Sequence, residues 1–244
     1  MKDIKYYDKE SAVYSSKRYP LQSFCFTHFL FKRRLLILIN RLNKITKHKK
    51  GKLSLLEIGC ADGIVLREIR KNINCFSELI GVDISPNMIK IAKNSSKNNI
   101  IKFYVRKEGD SFNQKFDVIV EIGVLNLVNI DQEFRYVYKH LKKDGYYICS
   151  FASKTSLKSF LSNIFLKQNI AENFKHLLSF KDYEREIKKF FVVIDIVPYG
   201  LFIPYIWKIP SLAIFVQRFV EFLFRNLFVL DNLFHEKIYI LKKK

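Results

Sequence analysis

An apolar strand that runs directly into a glycine-rich turn is the feature that most constrains the fold of this 244-residue chain. Leu53–Ile58 predicts a strand, Gly59 and Gly63 lie in the turn, and Val65–Asn72 has a helical pattern. At such a junction, backbone N–H groups converge on a bound ligand. The segment therefore predicts a ligand site at the end of the first strand.

A second strand, Leu79–Asp83, ends in an acid twenty residues after Gly63. A carboxylate at the end of the second strand of such a fold is placed to hold ribose hydroxyls. Together, the turn and Asp83 predict a nucleoside-bearing cofactor.

Short apolar strands and helices alternate after Lys52, which predicts an α/β fold with a mostly parallel sheet and helices on both faces. Ser85 and Pro86 predict the N-cap and first residue of a helix. The remaining predicted strands are Ile100–Val105, Phe116–Ile122, Tyr146–Phe151, Phe190–Val197 and Glu236–Leu241, and the later predicted helices are Asp131–Leu141, Ser156–Lys167 and Lys181–Lys189.

The length and pattern predict one domain over residues 1–244. Residues 1–50 form a helical N-terminal cap, 51–152 a cofactor-binding core, and 153–244 a C-terminal part. That last part contains an apolar helical insertion, 198–230, before the final strand.

The formal net charge of +20 has two interpretations. It fits a nucleic-acid or anionic-membrane partner, and it equally fits lysines that merely solvate the surface. Four separated cysteines with no C-x-x-C pair predict a reduced compartment and no metal site. The polar, acid-containing first residues predict a cytoplasmic protein.

Four motifs in order resemble those of class I S-adenosylmethionine-dependent methyltransferases of the small-molecule type: LLEIGCADG, GVDISPNMIKIAK, FDVIVEIGVLNLV and LKKDGYYICSF. The lead-in YYDKESAVYSSKRYP is also similar to that of small-molecule members. The resemblance covers roughly residues 5–152 and the last strand. It implies a Rossmann-like seven-stranded sheet. An NAD fingerprint would need glycines at 59, 61 and 64, where the chain has Gly59, Ala61 and Ile64.

The resemblance implies S-adenosyl-L-methionine as cofactor and S-adenosyl-L-homocysteine as product. Glu57 would lie near the methionine amino group, Asp83 would bind the ribose, and the residues of the turn would let the backbone approach. The full set of implied cofactor-binding residues is Glu57, Gly59, Cys60, Ala61, Gly63, Asp83, Ile84, Met88, Glu121 and Ile122.

The chain departs from the family after the third strand, where an acid usually accepts a hydrogen bond from the adenine amino group. Arg106 stands near that position and cannot accept one. Either a shifted acid or a backbone carbonyl would replace it.

Methyl transfer to a hydroxyl needs a general base. The catalytic residue is not identified by the sequence, and the candidates are His28, His235 and Tyr14. For each of them, a packing role is the alternative. The expected acceptor is an O or N atom of a small, lipophilic or membrane-associated metabolite.

Two other functions stay open: an RNA methyltransferase, favoured by charge alone, and a non-catalytic protein that binds cofactor or a partner. The fourth strand lacks the Asn/Asp-Pro-Pro-Tyr of amino-methylating nucleic-acid enzymes, which argues against nucleic acid as a partner.

The insertion 198–230 carries the main information about the acceptor. Arg218, Glu221 and Arg225 fall on one helical stripe, and the other face is apolar. This pattern predicts an interfacial helix at an anionic membrane, on the inner face, or a lid over a lipophilic substrate. The alternatives are a lid buried against the N-terminal helices and a homodimer interface.

Overall fold

The computed structural model describes residues 4–47, 49, 51–96, 100–107, 109–159, 177–203, 206–224 and 232–244. A seven-stranded sheet with the order β3-β2-β1-β4-β5-β7-β6 forms its centre. The first five strands are parallel, and β7 runs antiparallel to both β5 and β6. The predicted fold class is confirmed. The strands are β1 Leu53–Ile58, β2 Phe76–Asp83, β3 Ile101–Val105, β4 Phe116–Ile122, β5 Leu141–Ala152, β6 Phe191–Leu201 and β7 Phe234–Lys243.

Helices cover both faces of the sheet and its carboxyl edge. Ser85 caps α5 as predicted, because its hydroxyl accepts a hydrogen bond from the Met88 N–H at 3.1 Å. Short 3₁₀ turns lie at Ser11–Val13 and Ile206–Lys208. The helices are α1 Ile4–Glu10, α2 Tyr14–Arg18, α3 Phe26–Thr46, α4 Ile64–Asn72, α5 Pro86–Ser95, α6 Ile130–His140, α7 Phe180–Phe190 and α8 Pro210–Phe224.

Four strands extend beyond their predicted limits, and one of them is β7, which runs Phe234–Lys243 instead of Glu236–Leu241. β2 begins at Phe76 rather than Leu79, and β5 begins at Leu141 because residues 142–145 bulge where its pairing with β4 shifts. β6 continues to Leu201, so the first residues of the predicted insertion belong to the sheet. Most of the predicted helix Ser156–Lys167 lies outside the described residues.

Side chains of the central strands alternate between two cores, because successive residues point to opposite faces. Leu55 and Val118 pack in the core beneath α3 and α4, whereas Leu56 and Ile119 pack in the core beneath α6 and α7. These side chains are fully buried. The alternation decides which functional side chains share a face.

The N-terminal segment crosses the carboxyl edge of the sheet. Ser85 donates a hydrogen bond to the Asp8 carboxylate of α1, and Ser15 of α2 donates one to Asp62 in the turn after β1. The Asn87 N–H also reaches Asp8, at 3.3 Å. Both ends of the segment are therefore tied to the loops that the sequence marks as a ligand site.

The turn after β1 is held in left-handed backbone. Gly59, Ala61 and Gly63 have φ values of +72°, +48° and +78°. Ala61 is the one non-glycine residue with a positive φ in the described part of the chain. That conformation costs an alanine about 1–2 kcal/mol, and such strain typically lies at functional sites.

We expect Gly63→Ala to reduce the free energy of unfolding by at least about 2 kcal/mol, because the new Cβ would add a clash to the backbone strain. It would lie 2.6 Å from the Phe103 ring. Gly109→Ala is the matched control, with φ +85° and open space around it, and it should lose only about 1 kcal/mol. Equal losses in urea denaturation would contradict this account of the turn.

Candidate functional site

Asp83 joins the two loops at the carboxyl edge. Its Oδ2 accepts the Ala61 N–H at 2.9 Å, and its Oδ1 accepts the Ser85 N–H at 2.9 Å. Burial raises the pKa of Asp83, and the backbone donors oppose that shift. A carboxylate has about four acceptor positions, so Asp83 keeps acceptor capacity for a hydroxyl group beside its backbone donors.

Glu57 lies beside Asp83 with a buried, unsatisfied oxygen. The residue is 2% exposed, and its Oε2 has no hydrogen-bond partner among the described residues. Burial raises its pKa well above 4.5, and the neighbouring carboxylates of Asp83 and Asp62 raise it further. Three carboxyl groups with too little positive charge between them make a site that attracts a cation.

A buried arginine borders this acidic group on the side of the cap. Arg34 of α3 is 6% exposed and lies against the Phe31 ring at 4.3 Å. Its charge acts on Tyr14 and Tyr19, both of which have pKa values raised by burial, and on Glu57. Arg34 Nε has no partner among the described residues. The cap thus brings a cation and two phenols to the acidic edge.

The other predicted cofactor-binding residues near this edge differ in burial. Ile84 is 45% exposed at the edge, whereas Met88 and Cys60 are buried, and burial raises the pKa of the Cys60 thiol. Close packing fixes Gly59, because a Cβ there would lie 2.2 Å from Val124.

Glu121 and Ile122 point to opposite faces of β4. In the parallel register, Glu57 pairs with Val120 and Ile58 pairs with Glu121, so Glu121 lies on the face away from Glu57. Its carboxylate accepts a hydrogen bond from Tyr147, and burial raises its pKa, as does Glu133. The predicted role of Glu121 beside the cofactor has no support from this position, whereas Ile122 stays a candidate.

Arg106 turns away from the adenine position. Its guanidinium forms a two-pronged ion pair with Glu133 of α6, at 2.7 and 3.1 Å, and stacks over the Tyr136 ring. Its backbone N–H donates to the Asp83 carbonyl at 2.8 Å. The side chain therefore joins β3 to α6. A shifted acid and a backbone carbonyl both remain candidates for the hydrogen bond to the adenine amino group.

A second polar cluster lies at the same edge, and the sequence analysis missed it. Tyr199 of β6 donates a hydrogen bond to Glu236 of β7, directly opposite in the antiparallel ladder. Arg34 pairs with Glu236 at 3.7 Å and also lies against Gly123 at the end of β4. The available signal was the charged stretch His235-Glu236-Lys237 at the start of an otherwise apolar strand.

His235 belongs to this second cluster. It is buried, with Nδ1 3.5 Å from the Ser156 hydroxyl and Nε2 3.2 Å from Lys158 Nζ. Burial lowers the pKa of the imidazole well below 6.5, and the charges of Lys158 and Arg34 add to the shift, so the ring is neutral near pH 7.

The other two catalytic candidates make separate contacts. His28 accepts the Phe24 N–H through Nδ1 at 3.2 Å in the first turn of α3. The Tyr14 ring packs against Arg18. No contact among the described residues brings either side chain to His235.

Helix α8 presents its apolar face outward, which corrects the predicted polar stripe. Gln217 and Glu221 are buried, and Glu221 binds Arg33 at 2.8 Å and the Gly200 N–H at 3.0 Å. Arg218 is exposed whereas Glu221 is buried, so the predicted polar stripe straddles the edge of the buried face, and Arg225 lies outside the described residues. The large exposed residues are Leu212, Phe215, Phe219, Phe222 and Leu223.

Comparison with known proteins agrees with this architecture. Residues 56–147 match a family model described as a methyltransferase domain. The uncharacterised protein MJ1252 of Methanocaldococcus jannaschii is 30% identical over 166 residues, which are 67% of this chain and 57% of the relative. The match thus spans little more than half of that relative's length.

Two solved structures share the fold along nearly the whole chain. The N-methyltransferase NodS of Bradyrhizobium japonicum WM9, in complex with S-adenosyl-L-homocysteine, has a TM-score of 0.65 at 14% identity and covers 98% of this chain and 97% of its own. The magnesium protoporphyrin IX methyltransferase ChlM of Synechocystis PCC 6803, also with that product bound, has a TM-score of 0.66 at 12% identity, with the same coverage.

The chain therefore has the fold of S-adenosylmethionine-dependent methyltransferases of known structure, and its residues 56–147 match the model of a methyltransferase domain. Within the described ranges, no helix is long and apolar enough to cross a membrane. No group of three or more potential ligands among those same residues could hold a metal ion.

We expect the ligand-free protein to lose stability as the pH rises above about 4.5, because unfolding lets Glu57 ionise freely. The loss reaches about 1.4 kcal/mol per pH unit while Glu57 is protonated only in the folded state. Glu57→Gln should reduce this slope above pH 4.5 in thermal unfolding scans.

Asp131→Asn is the matched control for this slope. A hydrogen bond from Arg135 lowers the pKa of Asp131, so its titration is complete below this range. The slope should therefore stay that of the unmodified protein. A Glu57→Gln variant with an unchanged slope would show that Glu57 is ionised in the folded protein.

Proposed function

We propose that this protein transfers a methyl group from S-adenosyl-L-methionine to an O or N atom of a small molecule. The proposal rests on the acidic edge of the site. There, Asp83 lies beside the left-handed turn, and Glu57 has a buried oxygen with no hydrogen-bond partner among the described residues. A molecule that combines a ribose with two positive charges, the ammonium and the sulfonium, fits this set of groups.

The residues present fit the cofactor. The remaining acceptor capacity of Asp83 suits a ribose hydroxyl, and Glu57 suits the ammonium group. Arg34 supplies a cation near Glu57 for the carboxylate of the amino-acid part. At Gly59 and Gly63 an added Cβ would clash with Val124 and Phe103, so the turn must stay free of side chains.

The bound cofactor would supply an activated methyl group for an in-line displacement, so the protein's contribution is to position the reactants and exclude water. The acceptor's lone pair would form the new bond to the methyl carbon, and the electron pair of the broken bond would stay on the sulfur of the cofactor held by Glu57 and Asp83. Any proton lost by the acceptor passes to a base. Among the candidates, we assign this role to His235, which is neutral near pH 7 and lies in the polar cluster with Arg34, although burial and the nearby cations lower its pKa and make it a weaker base than a free histidine.

We expect Asp83→Asn to weaken S-adenosylmethionine binding about 10- to 100-fold in isothermal titration, because it removes a charged acceptor worth about 1.5–3 kcal/mol. Glu121→Gln is the control, since it is a buried acid on the face of β4 away from Glu57. Its affinity should stay within about twofold. Equal affinity of both variants for the cofactor would contradict the ribose assignment.

We propose further that the acceptor is lipophilic and that α8 attaches the protein peripherally to an anionic membrane on its inner face. Phe215, Phe219 and Phe222 are 68%, 53% and 76% exposed along one stripe. The one acid of this helix, Glu221, is buried and paired with Arg33. Arg218 is therefore the one charged residue on the outward surface of α8. Exposed aromatics with basic neighbours are typical of interfacial helices.

The triple variant Phe215→Ser, Phe219→Ser, Phe222→Ser should lose at least about 90% of co-sedimentation with vesicles of phosphatidylcholine and phosphatidylserine, because each buried phenyl contributes about 1.5–3 kcal/mol. Val192→Ser, Ile194→Ser is the control, since these residues are similarly exposed on β6. Failure of the unmodified protein to bind the vesicles would overturn the proposal. A dimer in sedimentation velocity that the triple variant dissociates would identify a second copy as the partner instead.

A further inference from the structure

Lysines cluster at the amino edge of the sheet, where the parallel strands begin and β7 ends. They lie in the approach to β1, at the end of α4, at the start of β5 and near the end of β7. These residues form the amino-edge patch: Lys47, Lys49, Lys52, Lys71, Lys142 and Lys242. Because β1 has six residues, the patch lies about 20 Å from the acidic edge at its other end.

Few carboxylates balance the charge of the amino-edge patch. Lys142 pairs with Asp117 at 2.8 Å, and Lys242 pairs with Asp144 at 3.3 Å. The other four lysines have no carboxylate partner among the described residues. Lys49 Nζ donates instead to the backbone carbonyl of Asp144, at 2.9 Å. The patch therefore has a surplus of positive charge.

The lysines of the patch repel one another. Burial lowers the pKa of Lys49, and the carboxylates of Asp117 and Asp144 oppose that shift. The positive charges of Lys142 and Lys242 lower this pKa further. A lysine in the last turn of a helix complements the negative end of the helix dipole, but Lys142 and Lys242 lie on strands. An anion bound among these side chains would reduce their repulsion.

A groove of about 420 Å³ opens within the patch, between the C-terminal ends of α3 and α4. Lys47 and Lys49 line this groove together with the amides of Asn43, Asn72 and Asn74. Asn43 and Asn74 are exposed, and their side chains make no hydrogen bond to other described residues. Pockets of about 300–1,000 Å³ hold small organic molecules, so the groove has room for one nucleotide.

The chemistry of the groove and the patch fits a single-stranded nucleic acid. Ammonium groups bind phosphates as point charges, and the amide of an asparagine can form two hydrogen bonds with an adenine. The bases of a single strand are free to turn outward and meet such side chains, whereas those of a duplex are stacked and paired. An anionic lipid headgroup would contact the lysines and leave the amides of Asn43 and Asn74 without partners.

We propose that the amino-edge patch binds a single-stranded nucleic acid, with one base in the groove and the neighbouring phosphates on the lysines. The bound strand would be a partner of the protein rather than its methyl acceptor, because the patch and Asp83 lie at opposite edges of the sheet. The inference therefore does not depend on the proposed methyl transfer.

Fluorescence anisotropy of a fluorescein-labelled oligoadenylate at several salt concentrations tests the proposal. The logarithm of Kd should rise with the logarithm of the salt concentration with a slope of about 3, because each lysine without a carboxylate partner contributes about 0.7. The variant Lys47→Gln, Lys49→Gln should lower the slope by about 1.4 and weaken binding at low salt at least about tenfold. Glutamine at position 49 keeps a donor for the Asp144 carbonyl.

Lys9→Gln, Lys90→Gln is the matched control, since it removes the same charge from exposed positions on α1 and α5. It should leave both the slope and the affinity unchanged. Asn74→Ala tests the groove separately. It should weaken oligoadenylate binding about fivefold without changing the slope, because it removes an uncharged hydrogen-bond partner of the base.

The proposal would be overturned by a lack of saturable binding to the unmodified protein, by equal losses in the two lysine pairs, or by equal affinity for a duplex of the same sequence. Weaker co-sedimentation with phosphatidylserine vesicles in Lys47→Gln, Lys49→Gln, with unchanged oligoadenylate binding, would assign the patch to a membrane surface and overturn it as well. A failure of S-adenosylmethionine to bind would refute the methyl donor and leave these results unaffected.

Discussion

The burial of three carboxyl groups around one turn is the constraint on which the site depends. Glu57, Asp62 and Asp83 converge because β1 and β2 are adjacent parallel strands whose carboxyl ends meet at one edge. A backbone N–H group donates a hydrogen bond to Asp83, and the Ser15 hydroxyl donates one to Asp62. The positive charges of Arg34 and Arg67 act on Glu57. Repulsion among these carboxyl groups therefore destabilises the ligand-free fold, and a bound cation would reduce it.

The strained turn after β1 and the N-terminal cap both supply hydrogen-bond donors to these carboxyl groups. Positive φ at Ala61 aims its N–H at Asp83, and the absence of side chains at Gly59 and Gly63 lets Val124 and Phe103 close in. The cap adds Ser15 on Asp62 and the phenols of Tyr14 and Tyr19 near Arg34. Such local strain persists only because the surrounding contacts fix it.

The cofactor side could be predicted from the sequence because its signals are local. Gly59, Gly63 and Asp83 mark strand ends, Ser85 and Pro86 mark a helix start, and β1 and β4 have their predicted bounds. The second polar cluster could not, because Tyr199 and Glu236 meet only through the antiparallel ladder of β6 and β7. Nor does a helical stripe reveal which side is buried: Arg33 and the Gly200 N–H decide that Glu221 faces inward.

We propose that the methyl donor and the acceptor bind in two neighbouring sites that share Arg34. The central claim, that the acidic edge binds a cation, is tested most directly by proton release on binding. Titration calorimetry with S-adenosylmethionine at a series of pH values above 4.5, in two buffers of different ionisation enthalpy, should show proton release, because the cation lowers the raised pKa of Glu57. The release should disappear in Glu57→Gln. Binding without proton release, or the same release in that variant, would contradict the account.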